Sequence, residues 1–164
     1  MSVEIYTDSI HSKATPDLID KLLAERQQLL VLLNRLAKRR PFSDSADVHP
    51  LLEQFCQVLV DYTALGLFEV FQCVEDDSDD RDEQLYPRDA LKHLYEKIAA
   101  STAGALAFND RYDCEDHCQD LGNLYQDLSR LSEQLATRID AEDRLIEAIA
   151  YRSLIFRSGQ GVPS

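Results

Sequence analysis

Three groupings in this 164-residue chain have residue types that could do chemistry. Cys114, His117 and Cys118 fall close together, and thiolate and imidazole ligands so placed could hold zinc, or serve as a redox sensor, if a fourth group joined them. No partner Cys-x-x-Cys is present, and haem attachment needs the order Cys-x-x-Cys-His, so the segment reads first as a turn leading into a helix. Arg26 interrupts an apolar stripe between Leu22 and Leu29, and Arg138 and Glu142 stand one helical turn apart inside another. Buried singly, each would cost several kcal/mol, on the order of the desolvation penalty of one ion, so they must pair in an internal network or line a polar groove. The third grouping is a polar helix face that carries Asp61, Gln72 and the aromatic Phe68, with Leu65 at its edge. An aromatic and an aliphatic side chain beside a carboxylate suit docking of a protein partner, or of a second copy in a homodimer.

Other chemistries find no support. The sequence has no Glu-x-x-His pair of the kind that builds di-iron sites in bundles, and its four histidines, His11, His49, His93 and His117, are scattered. In the acidic run Glu75 to Glu83, Asp77 and Asp79 are followed by Arg81 where a calcium loop needs a ligand and by Asp82 where it needs glycine. No nucleophile-elbow, P-loop or dinucleotide glycine pattern occurs. The expected protein is therefore not an enzyme and carries no metal or cofactor.

The elements that must position these residues are helices. Thr15-Pro16-Asp17 has the order of a helix start, with a capping hydroxyl, a proline where its missing N–H costs nothing and an acid in the first turn. Leu18, Leu22, Leu29, Leu33 and Leu36 follow at helical spacing, Lys38, Arg39 and Arg40 oppose the negative end of the dipole, and Pro41 stops the helix. A second helix is expected from Pro50 to about Val74, a third from Pro87 to about Tyr112 on Leu91, Leu94, Ile98 and Ala105, and a fourth from about Asp116. The fourth has the stripe Leu121, Leu124, Leu128, Leu131, Leu135, Ile139, Leu145, Ile146 and Ile149. No useful segment alternates with period two. The reading is an all-α, antiparallel up-down-up-down four-helix bundle over residues 15–158, with an N-terminal extension, 1–14, and a flexible tail, 159–164.

A wheel at about 100° per residue, centred on Val70, puts Leu52, Cys56, Leu59, Thr63, Gly66, Leu67 and Val74 on the core side of the second helix, with Phe55, Tyr62 and Cys73 just beyond. Asp61 and Phe68 fall opposite, with Gln54, Gln57 and Gln72. A net charge of −13 repels phosphate backbones and anionic lipid, so direct nucleic-acid or membrane binding is not expected, whereas a basic protein partner would be steered in. No secretory leader or membrane-spanning stretch is legible, and reduced thiols and a cytoplasmic, monomeric protein are expected.

Along the same helices the chain resembles the Rsd/AlgQ family of sigma-factor regulators. The strings are Phe55-Cys56-Gln57-x-Leu59-Val60-Asp61-Tyr62 with Gly66-x-Phe68-Glu69-Val70, Asp20-x-x-Leu23-x-Glu25-Arg26, Leu106-Ala107-Phe108-Asn109-Asp110-Arg111 and Glu142-Asp143-x-Leu145-Ile146. The resemblance spans about residues 15 to 157. It implies an anti-sigma factor that binds the C-terminal, −35-recognising region of the primary sigma factor, keeps it from RNA polymerase and favours alternative sigma factors, chiefly in stationary phase. It further implies that Asp61 pairs with a sigma arginine and that Phe68 fills an apolar pocket, with Leu65, Leu22 and Gln72 near the contact. The chain departs from the family at Leu22, where tryptophan is frequent, and at Ala64 and Leu67, where serine and histidine stand.

Overall fold

The structure, a computed structural model, describes residues 2–40, 42, 45–65, 88–113 and 121–160. It contains four helices, α1 (Ser2–Ala37), α2 (Ser45–Ala64), α3 (Arg88–Tyr112) and α4 (Leu124–Gln160), and no strand among the described residues. None of these helices is long and apolar enough to cross a membrane.

Four helix boundaries differ from the sequence expectations. Thr15-Pro16-Asp17 is not the start of α1 but lies within it, because a proline removes one backbone bond and residues 2–14 contain neither glycine nor a second proline to stop the helix. Pro50 likewise lies inside α2, which begins at Ser45, so the lost bond falls in the second turn. The fourth helix starts at Leu124, later than Asp116. The backbone turns at Gly122 and Asn123, with Leu124 N–H donating to the Leu121 carbonyl at 3.2 Å. Asn123 takes the capping position, where its carbonyl accepts from Asp127 N–H at 3.0 Å, and the Asp127 carboxylate adds negative charge at the positive end of the dipole. The helix also runs through Gly159 and Gln160, two residues into the expected tail.

Much of the stripes read from the sequence forms the core, although Leu32, not read as part of the first stripe, is buried there while Leu18, Leu33, Leu121 and Ile146 are only partly buried. Leu22, Leu29, Leu32 and Leu36 of α1, Leu52, Phe55, Cys56, Leu59 and Tyr62 of α2, Ala105, Phe108 and Tyr112 of α3, and Leu124, Leu128, Leu131 and Leu135 of α4 are buried in one cluster. Phe55 meets Phe108 edge-on at 5.8 Å between ring centroids, and Phe108 tilts against Tyr112 at 4.7 Å, which ties α2 to α3 by ring contacts as well as by area. A smaller cluster of Leu94, Ile98, Ala141 and Leu145 joins α3 to α4 farther along. Between the two clusters the stripes of all four helices are interrupted at one level by polar residues.

Candidate functional site

That polar level is built from Arg26 on α1, Tyr62 and Thr63 on α2, Ser101 and Thr102 on α3, and Arg138 and Glu142 on α4. Arg138 is fully buried and Glu142 is 3 % exposed, so their charges can be kept only by close partners. The Arg138 guanidinium donates through Nη1 to the Ile98 carbonyl at 3.2 Å, to Ser101 Oγ at 3.0 Å and to Thr102 Oγ1 at 2.8 Å, and through Nη2 to the Thr63 carbonyl at 2.9 Å. The Ser101 and Thr102 hydroxyls donate to the same Ile98 carbonyl, and the Thr63 hydroxyl donates back to the Leu59 carbonyl of its own helix. The guanidinium also lies 5.4 Å from the centre of the Tyr62 ring.

Glu142 joins α1 and α2 to α4. Tyr62 Oη donates a short hydrogen bond to Glu142 Oε1. Arg26 Nη2 approaches the same oxygen at 3.5 Å, while its Nη1 donates to Asp143 Oδ1 at 2.7 Å. Arg138 Nε and Glu142 Oε2 stand at 3.5 Å, an ion-pair distance that is too long for a good hydrogen bond, and both atoms, with Arg26 Nε, are buried without a hydrogen-bond partner. Burial raises the Glu142 carboxyl above its ordinary range, and Arg138, Tyr62 and Arg26 offset only part of that. Burial and the adjacent Glu142 charge push the Tyr62 hydroxyl up, so it stays protonated and donates. Desolvation lowers Arg26, but Asp143, Tyr62 and Glu142 outweigh it and leave the guanidinium above its ordinary value.

The level is thus a closed ion-pair network. It links residues of all four helices at one level. Arg26, Arg138 and Glu142 come together as three stripe interruptions at one height. Tyr62, Ser101, Thr102 and Asp143 are members that sequence reasoning did not single out. The hydroxyl pair Ser101-Thr102 inside an apolar helix face, one turn after Ile98, was the available signal.

The expected docking residues separate. Asp61 is exposed on the outer side of α2 with Gln54 and Gln57, while Leu52, Phe55, Cys56, Leu59, Tyr62 and Thr63 face inward. Leu65 does not edge that exposed face. It is buried in the main cluster, because it lies nearly one turn past Tyr62 on the inward side. Leu22 is buried as well, packed in the core stripe of α1, and offers no surface to a partner. Phe68 and Gln72 lie outside the described residues, as do Cys114, His117 and Cys118. Among the described residues no group of three or more His, Cys, Asp or Glu side chains could hold a metal ion. Cys56 is a free, buried thiol whose sulfur faces the Tyr112 carbonyl at 3.8 Å, and burial, aided by Asp113, pushes it up to about 12.

Comparison with known proteins places this arrangement in context. Residues 7–150 match the family model described as regulator of RNA polymerase sigma(70) subunit, Rsd/AlgQ. Proteins named regulator of sigma D are similar: that of Yersinia enterocolitica is 30% identical over 143 residues, covering 80% of this chain and 79% of its own. The one from Enterobacter sp. strain 638 is 32% identical over 135 residues, with 79% and 78% covered. The one from Pectobacterium carotovorum is 28% identical over 138 residues, with 80% and 87% covered. No solved structure matches the chain.

Proposed function

As this chain belongs to the Rsd/AlgQ family, we propose that it is an anti-sigma factor, a non-catalytic cytoplasmic protein that binds the primary sigma subunit of RNA polymerase. The family match over residues 7–150 carries the reading. The sequestered element is the C-terminal, −35-recognising region of sigma, and its capture shifts transcription toward alternative sigma factors. A module that grips promoter phosphates must present basic side chains, and a molecule of charge −13 both attracts such a module and competes with DNA for it.

The proposed contact is made by Asp61 on the outer face of α2 together with Phe68 and Gln72. Support comes from Asp61, which is exposed beside other polar residues while the opposite side of α2 is buried. Leu22 and Leu65 act behind this face by holding α1 and α2 in the core.

The helices are taken as an antiparallel up-down-up-down bundle, a reading supported by the order of contacts. Rising from Phe55 to Thr63 along α2, the neighbours on α3 descend from Phe108 toward Ser101 and Ile98, the latter linked through Arg138. Along α4, Asp127 meets Tyr112 whereas Arg138 meets Ser101, again in opposite order. On α1, Arg26 meets Glu142 and Asp143, while Arg40, just past its end, covers Tyr125.

Co-purification tests the function. Tagged protein should retain the host's primary sigma factor, and Asp61→Ala with Phe68→Ala should reduce the amount retained. Equal retention by the double variant would show that the patch is misassigned, and no sigma in any eluate would show that the function is.

A further inference from the structure

The outward side of α1 carries a feature that the α2 face does not use. Leu23, Leu30 and Val31 are 39 %, 38 % and 39 % exposed, and at positions i, i+7 and i+8 they line one side of the helix instead of joining the buried Leu22, Leu29, Leu32 and Leu36. The next turns of that side are basic. Arg35 follows Val31 by four residues and Lys38 by seven; both are exposed, and neither enters an ion pair among the described residues. Arg39 is exposed beside them, and the Arg40 guanidinium lies 3.5 Å from the centre of the half-exposed Tyr125 ring. Stacked there, its plane is fixed and its in-plane N–H donors suit a carboxylate.

A helix terminus needs about one cation to offset its dipole. Here four lie within six residues, Arg35, Lys38, Arg39 and Arg40, and they continue an exposed aliphatic stripe in a protein whose charge is otherwise strongly negative. From this juxtaposition we infer that the outward face of α1 from Leu23, with the basic segment Arg35 to Arg40 at and just past its C-terminal end, is a second docking surface that takes an acidic amphipathic helix of a partner protein, its leucine-type side chains on Leu23, Leu30 and Val31 and its carboxylates on Arg35, Lys38 and Arg40. Charge complementarity selects this occupant. The basic sigma region proposed above for the Asp61 face would be repelled at this one, so the two surfaces take chemically opposite partners.

The test uses the full chain and a synthetic helical peptide whose docking face carries leucines toward one end and glutamates toward the other, with a lysine-for-glutamate version as the control. The acidic peptide should bind and shift the backbone amide resonances of residues 23–40. Arg35→Glu with Lys38→Glu should weaken it about tenfold or more, Leu30→Ala should weaken it less, and Asp61→Ala should leave it unchanged. Helical circular dichroism of each variant checks that the bundle is intact. No binding of the acidic peptide, equal binding of the lysine version, or shifts confined to α2 would each overturn the proposal.

Discussion

Arg138 is the residue whose loss should be felt most. Its guanidinium satisfies two backbone carbonyls and two hydroxyls and faces Glu142 in a site without solvent. Arg138→Ala takes the buried cation from Glu142 and this donor from the Thr63 carbonyl, and should lower stability by roughly 3–5 kcal/mol in urea unfolding. Replacing the pair together, Arg138→Met with Glu142→Leu, should recover most of that loss, because the buried charges then disappear as a set. Glu142 also predicts a pH effect. Its folded carboxyl titrates above its ordinary 4.5, so the native state holds the proton more tightly than the unfolded chain does. The stabilisation from that proton is complete below about 4.5 and is lost as pH rises through the folded value, so unfolding curves of wild type and Glu142→Gln should diverge over that interval, with wild type losing ground. Parallel curves would contradict it. Cys56, buried and raised to about 12, should resist alkylation at pH 8 in the folded protein and react only after unfolding, as peptide mapping would show. The stripe interruptions at Arg26, Arg138 and Glu142 were legible from spacing alone. Tyr62, Ser101 and Thr102 were not, since a tyrosine or a hydroxyl in an apolar face becomes a network member only when another helix brings a charge to it.

The helices explain where sequence reading succeeds and where it slips. Inward stripes were legible because burial follows the 3.6-residue period, as Leu52, Phe55, Cys56, Leu59 and Tyr62 illustrate on α2. Boundaries were less so. Pro16 and Pro50 look like first-turn prolines, but each removes only one bond, and the preceding residues still favour helix. Leu65 misled because its distance from Tyr62 along the helix allows it to sit at the margin of either face, and only the packing of neighbours decides. One element-scale prediction concerns Gly104 on α3. A Cβ there would come within 2.0 Å of Gln134 Oε1 and 2.8 Å of its Cδ, but these atoms end a flexible, exposed side chain that can swing aside. The gain in helix propensity, about 1 kcal/mol, should therefore exceed the cost, and Gly104→Ala should raise the midpoint of thermal unfolding. A lowered midpoint would mean that the Gln134 position over the glycine is itself required.

At the scale of the molecule, the charge of −13 was legible from composition, and it bears on partners and not on fold. What composition could not reveal is that the basic residues near the end of α1 gather into a patch of opposite sign, because net charge averages over the surface. Electrostatic steering toward the proposed basic sigma region predicts that association is faster at low salt and slows as ionic strength rises. The most direct test of the account is a calorimetric titration of the full chain with the isolated C-terminal region of its host's primary sigma factor, run with wild type and with Asp61→Ala. The account predicts one-to-one binding that weakens as salt rises and a loss of about tenfold for the variant. Absence of binding, or identical salt-insensitive affinities for the two proteins, would contradict it.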